Sequence, residues 1–457
     1  MMYLSEAALA TGGALLGEDV SFSGVTHDSR GDMRGRLFVA IRGERFDGHD
    51  FAAAALEAGA AAAMISRRMP DLRSALLVED TRLSLGTLAG YWRGKFGIPL
   101  AAVTGSNGKT TVKEMLASIL RAMAGGEDAV LATEGNLNND IGLPLTLLRL
   151  GQQHRAAVVE LGMNHFGEIS YLTRIACPDV AVINNAGVAH LGELGSVDGI
   201  ARAKGEIFEG LAADGTAVIN ADDVFAGLWR DLAAGRRILT FGLEHPADVS
   251  AGFNLHADSS NLHLRTPLGK TDVRLPVAGR HNVCNALAAT AAAIAMGASL
   301  QAIRTGLEDF SAAKGRLQRK QGIHGALVID DTYNANPASV RAAIDVLSAY
   351  PGDRLLVLGD MGELGGDAAD MHAEIGEYAK ASGVRELFVL GDLTREMVRT
   401  FGAGAHHFET PAALAQVLEK SMHEGCTVLV KGSRFMRMER VVELITEHNS
   451  QGESDAA

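Results

Sequence analysis

The chain has 457 residues, 47% of them hydrophobic, and a formal net charge of -13. Its length exceeds what one hydrophobic core serves, so two or three domains are expected. The acidic balance excludes a general nucleic-acid-binding surface, since phosphate-backbone binding draws on basic residues. Three widely spaced cysteines, Cys177, Cys284 and Cys426, suit a reducing cytoplasm and suggest neither a disulfide framework nor a structural metal.

Residues 1–10 carry Glu6 and no basic stretch, and so do not read as a signal peptide. Residues 1–80 mix short apolar runs, at 37–41 and 61–65, with alanine-rich helix, which predicts a small α/β domain. From Leu100 the pattern becomes apolar strand, turn, helix. The run 100–103 is followed by Gly105-Ser106-Asn107-Gly108-Lys109-Thr110-Thr111. Then Val112, Met115, Leu116, Ile119, Leu120 and Met123 recur at the spacing of one buried helical stripe. A glycine loop opening a helix is a phosphate cradle: backbone N–H groups carry partial positive charge, and glycine lets phosphate oxygens approach. Lys109 adds a full charge, and Thr110 offers a hydroxyl to a phosphate-bound magnesium ion. The loop is two residues shorter between its glycines than the common P-loop.

Apolar runs at 156–161, 180–184 and 217–220 continue a largely parallel sheet. Glu160 ends the first of these, at the edge where ligands collect, and suits either magnesium or a helix cap. His190 follows the next strand, as a metal ligand or a satisfied loop residue. Lys204 and Glu206 lie in a helical segment, where the bland reading is a solvated charge pair. Residues 254–276 alternate polar and apolar, as hairpins appended to the central sheet. Asn282 opens the alanine-rich stretch 286–298, which is too short to span a bilayer. It reads as a helix cap or as a contact to a base edge. After Gly315 strands recur at 326–329, 355–358, 387–390 and 428–430, a second doubly wound sheet. Arg316 and the polar run around Asp331 mark a site at its carboxyl end. The tail 450–457 is polar and expected to be disordered.

The loop, with Glu160, His190, the Gly-Arg-His-Asn segment 279–282, Arg316 and Asp331, resembles the Mur ligase family, and the resemblance covers nearly the whole chain. It implies an α/β enzyme of three domains: a UDP-substrate domain (1–80), a central ATPase-like domain (81–314) and a Rossmann-like C-terminal domain (315–449). It also implies a cytoplasmic, monomeric enzyme that forms an amide bond through an acyl phosphate. Residues 135–142, 330–337 and 431–434 are most similar to the branch that adds D-alanyl-D-alanine to UDP-N-acetylmuramoyl-tripeptide. Expected cofactors are ATP and Mg2+. By this analogy Thr110 and Glu160 contact one magnesium ion and His190 a second, Asn282 meets adenine, Asp331 the ribose, and Arg316 the transferring phosphate. Lys204 matches a lysine that relatives carry as a carbamate. Ser29, Arg30, Arg45, Phe46, Asp47 and His49 match uridine-nucleotide segments. Asn138, Asn139, Asn334, Asn336, Lys431, Ser433 and Arg434 are the further substrate candidates. Another ligase of the family, a folate-extending relative and a nucleotide switch are the rivals. No Asn-Lys-x-Asp guanine-reading segment and no Asp-Asn-Pro-Arg segment is present.

Overall fold

The computed structural model describes residues 1–187 and 194–447. His190 and the tail 450–457 therefore lie outside the described residues. Three α/β units follow one another along the chain. The first is a five-stranded sheet in the order Ala14–Gly17, Ser74–Leu77, Ala62–Ile65, Arg36–Val39, Gly24–Thr26, antiparallel only at its first pair. The alanine-rich stretch divides into the helix Ala52–Glu57 and the strand Ala62–Ile65.

The central sheet is parallel throughout, in the order Arg237–Phe241, Thr216–Asn220, Val180–Ile183, Leu100–Thr104, Ala156–Glu160, Val130–Ala132. Its inner strands are buried on both faces, which is why they read as continuous apolar runs rather than alternation. The helix Lys109–Ala124 packs its stripe of Val112, Met115, Leu116, Ile119 and Leu120 into a core shared with the helix Arg280–Ala295. The helix Leu300–Glu308 crosses it closely enough that a Cβ on Gly306 would lie 2.3 Å from Ile119 Cα. The expected hairpins form a separate antiparallel sheet, Ser250–Leu255, Ser260–Thr266 and Gly269–Leu275. It is not an extension of the central sheet's edge. Alternation places Leu262, Leu264, Val273 and Leu275 on one face, which joins the same core.

The C-terminal sheet is mixed, in the order Gln318–Gln321, Leu327–Asp331, Cys426–Lys431, Asp353–Gly359, Glu386–Leu390, Ala405–Phe408. All pairs are parallel except the first. The two outer strands were absent from the sequence reading because Gln-Arg-Lys-Gln and Ala-His-His-Phe carry no apolar run; sheet edges are where polar strands are tolerated.

Candidate active site

The site lies where the carboxyl ends of the central strands meet the C-terminal domain. Leu100–Thr104 ends in the loop Gly105 to Gly108, and the helix begins at Lys109 with Gly108 as its N-cap at φ 78°. That left-handed backbone favours glycine, and so does space: a Cβ on Gly108 would lie 2.3 Å from Asn285 Oδ1. Lys109 Nζ donates to Gly105 O at 2.7 Å. Burial pushes the pKa of Lys109 down; Glu160 opposes this and Arg316 adds to it. Thr110 Oγ1 donates to Glu160 Oε2 at 2.8 Å, and Asn138 Nδ2 donates to Glu160 Oε1 at 2.8 Å. Glu160 is 2% exposed. It does not cap a helix, since one oxygen is held by Thr110 and the other by Asn138.

From the next domain, Arg316 Nη2 donates to Thr110 Oγ1 at 3.2 Å, with its guanidinium 4.0 Å from the Tyr333 ring centroid. Asn336 Nδ2 donates to Asn107 Oδ1 at 2.8 Å. Thus the two domains contact each other at the phosphate loop. Beside it lies a cavity of about 370 Å³ lined by Asn107, Gly108, Asn282, Arg316, Asp331 and Lys431, among others. Asp331 accepts from Leu317 N at 3.2 Å and from Lys431 Nζ at 2.6 Å. Burial lowers the pKa of Lys431, against the pull of Asp331.

Asn282 is not a helix cap: Gly279 holds that position, and Asn282 Nδ2 turns back to Ala278 O at 2.7 Å while its side chain faces the cavity. Lys204 and Glu206 do not pair. Glu206 accepts from Gly167 N and Ser170 N. Lys204 is 2% exposed, and its ammonium has no hydrogen-bond or ion-pair partner among the described residues. Burial, reinforced by Lys109, drives its pKa well below the ordinary lysine value.

The remaining candidates divide by surroundings. Asn138 belongs to the site through Glu160, whereas Asn139 accepts from Ile141 N and Gly142 N and shapes its own turn. Asn336 also caps the helix Pro337–Ser348 in a capping box with Ser339. Ser433 Oγ accepts from Gly362 N and donates to Ala335 O, tying two strand-end loops together. Asn334 and Arg434 are exposed, and Arg434 pairs with Glu439. In the first domain Ser29 is half-buried, while Arg30, Arg45 and Phe46 are exposed. Asp47 holds His49 by its backbone and ring, and His49 Nε2 accepts from Ser66 N, so this buried histidine shapes the loop. The sequence reading missed Asn184, Asn185 and Asn285, which surround the phosphate loop with amide hydrogen bonds. Two asparagines directly after an apolar strand were the available signal.

The donors at Thr110 and Glu160 are hard oxygens, the chemistry magnesium takes beside phosphate, so these residues fit the ion. No cluster of three or more His, Cys, Asp or Glu that could hold a metal occurs among the described residues.

Comparison with known proteins agrees along the chain. The Mur ligase family, catalytic domain model matches residues 21–76, the Mur ligase middle domain 103–293, and the Mur ligase, glutamate ligase domain 315–434. The chain is 42% identical over 450 residues to UDP-N-acetylmuramoyl-tripeptide–D-alanyl-D-alanine ligase of Escherichia coli (strain K12), covering 98% of this chain and 99% of that protein. Its structure is similar to MurF from Acinetobacter baumannii, with a TM-score of 0.90 at 40% identity over 96% of this chain and 97% of that one. For MurF ligase from Thermotoga maritima in complex with ADP, the TM-score is 0.82 at 30% identity, over 92% and 96%. By its three matched domains and its near-full-length relatives, the chain belongs to the Mur ligase family.

Proposed function

We propose that the protein is an ATP-dependent ligase that joins D-alanyl-D-alanine to the peptide carboxylate of UDP-N-acetylmuramoyl-tripeptide, giving the pentapeptide precursor for peptidoglycan synthesis. The observation that carries this reading is the bonding of Thr110, beside Lys109, to both Glu160 and Arg316 of the next domain, with Arg316 also lining the adjoining cavity. The relatives' names supply the substrate pair.

A carboxylate is a poor acyl donor because its oxide is a basic leaving group. Transfer of the γ-phosphoryl group of ATP to a carboxylate oxygen converts it to an acyl phosphate and releases ADP. The amine then attacks the carbonyl carbon, the C–N bond forms, and inorganic phosphate leaves with the former carboxylate oxygen. Phosphoryl transfer depends on positioning and charge neutralisation, the roles of the loop N–H groups, Lys109 and Arg316. Thr110 and Glu160 would hold one Mg2+ and His190 a second, and the ions would supply Lewis-acid neutralisation of phosphate charge. Asn282 faces the adenine and Asp331 the ribose, supported by their places on the cavity wall. Lys204 is a carbamate candidate: its buried amine has no acceptor among the described residues, and its lowered pKa favours the neutral form that reacts with CO2.

The same reading takes 1–80 as the UDP-substrate domain, 81–314 as the ATP-binding domain and 315–449 as the ligase domain. Ser29, Arg30, Arg45, Phe46 and Asp47 line the uridine side, and Asn138, Asn334 and Arg434 the acyl and dipeptide side. We take the enzyme to be a cytoplasmic monomer. Its three cysteines are free, which suits a reducing compartment. No helix among the described residues is long and apolar enough to cross a membrane.

The test uses tripeptide substrate labelled with 18O in its terminal carboxylate. One labelled oxygen is expected in the released phosphate; unlabelled phosphate accompanying amide formation would exclude the acyl phosphate.

A further inference from the structure

Asn282 faces the nucleotide cavity with an amide whose two ends look alike in shape and opposite in chemistry. Which end points where is decided by a chain of buried amides. It begins at a backbone carbonyl, Asn107 O in the phosphate loop, which can only accept. Asn184 must therefore present Nδ2, at 2.9 Å. That same nitrogen donates to Asn285 Oδ1 at 2.9 Å, so Asn285 presents its oxygen to Asn184 and its nitrogen onward. Asn285 Nδ2 donates to Asn282 Oδ1 at 3.2 Å, and Asn282 Nδ2 ends the chain on a second backbone carbonyl, Ala278 O, at 2.7 Å.

Each link leaves one orientation. Flipping Asn282 would set nitrogen against nitrogen at Asn285 and oxygen against oxygen at Ala278. At Asn184 the direction is set by Nδ2, which serves both Asn107 O and Asn285 Oδ1, while Oδ1 has no partner among the described residues. Asn184, Asn282 and Asn285 are all at most 5% exposed, so water does not readily relax the order. Asn285 also packs directly on the loop, within 2.3 Å of where a Cβ on Gly108 would sit.

We propose that Asn285 is a positioning residue that locks the amide of Asn282 in one orientation and thereby sets the preference for adenine over guanine nucleotides, with the lock anchored in the phosphate loop. This rests on the reading that Asn282 faces the base. Asn282 retains one lone pair on Oδ1 and one proton on Nδ2. Adenine offers an amino donor beside a ring-nitrogen acceptor; guanine offers a carbonyl acceptor beside a ring N–H donor. A fixed amide matches one order and opposes the other, whereas an amide free to flip serves both.

The experiment measures kcat/KM for ATP and for GTP with the full-length enzyme, saturating UDP-N-acetylmuramoyl-tripeptide and D-alanyl-D-alanine, by phosphate release. Asn285→Asp keeps the acceptor for Asn184 but removes the donor to Asn282. Its added charge opposes both triphosphates alike, so that effect cancels in the ratio. The ATP/GTP ratio is expected to fall by about tenfold or more. Asn285→Ser, which also lacks the donor, is expected to lower it too, and dissociation constants for the two nucleotides give the same ratio should turnover be lost. Asn282→Ala separates the two claims. If it collapses the ratio while both Asn285 variants leave it unchanged, the lock is refuted and the base contact stands. If Asn282→Ala itself leaves the ratio unchanged, the base contact fails and takes the lock with it.

Discussion

Lys204 is the residue whose surroundings most demand an explanation. Its ammonium is buried with no acceptor among the described residues, and burial, with Lys109 nearby, lowers its pKa. Carbamylation would resolve this by turning the amine into an anion, which the Lys109 charge would favour. With 13C-labelled bicarbonate, the protein is expected to show a carbamate carbonyl resonance that is missing in Lys204→Ala, which should also lose most activity. Full activity in that variant, or identical spectra, would end the idea. Lys109 and Thr110 were legible in the sequence because a glycine loop between strand and helix reads as a phosphate cradle, whereas Glu160 was marked as a strand-end carboxylate with two possible roles. Asn184 carried a signal in the pair that follows an apolar strand, but its partner Asn285 did not: their hydrogen bond spans 101 positions, and a lone asparagine has no periodicity to mark it.

At the scale of elements, the inner strands and the helix Lys109–Ala124 were readable because burial on both faces, or on one stripe, leaves a repeating apolar pattern. The edge strands Gln318–Gln321 and Ala405–Phe408 escaped because half their hydrogen bonds and most of their side chains need no core. Other attachments are polar and equally invisible in sequence. The helix Ala368–Ala381 is fastened to the strand end at Met361 by His372, which is fully buried. Its Nε2 accepts from Met361 N at 3.0 Å, so Nδ1 carries the proton given to Ala368 O. Burial lowers its pKa, partly offset by the Ala368 carbonyl. The unfolded chain therefore binds a proton at pH values where the folded one does not, and stability falls as pH drops below about 6.5. Thermal unfolding of the C-terminal domain should show this decline between pH 7 and 5.5. In His372→Gln, which does not titrate there, the slope should be smaller. Equal slopes would assign the pH dependence to other groups.

For the whole molecule, the sequence indicated three units but not how they meet. Contacts such as Arg316 with Thr110 and Asn336 with Asn107 join side chains more than 200 positions apart. Asn336 serves two purposes that can be separated. Asn336→Ser keeps a capping oxygen for the helix Pro337–Ser348 and removes the amide donated to Asn107; Asn336→Ala removes both. The alanine variant is expected to lose about 1 kcal/mol of stability. The serine variant should unfold near the wild-type midpoint yet show a raised KM for ATP. A serine variant with wild-type KM would mean that the interdomain bond does not help hold the phosphate loop. The central claim is that this site activates a carboxylate for one particular amine, and phosphate release from ATP in the presence of UDP-N-acetylmuramoyl-tripeptide tests it most directly. Release is predicted to be fast with D-alanyl-D-alanine and to yield the pentapeptide, and to be slow with no acceptor or with single amino acids; amide product formed only with a single amino acid would contradict the account.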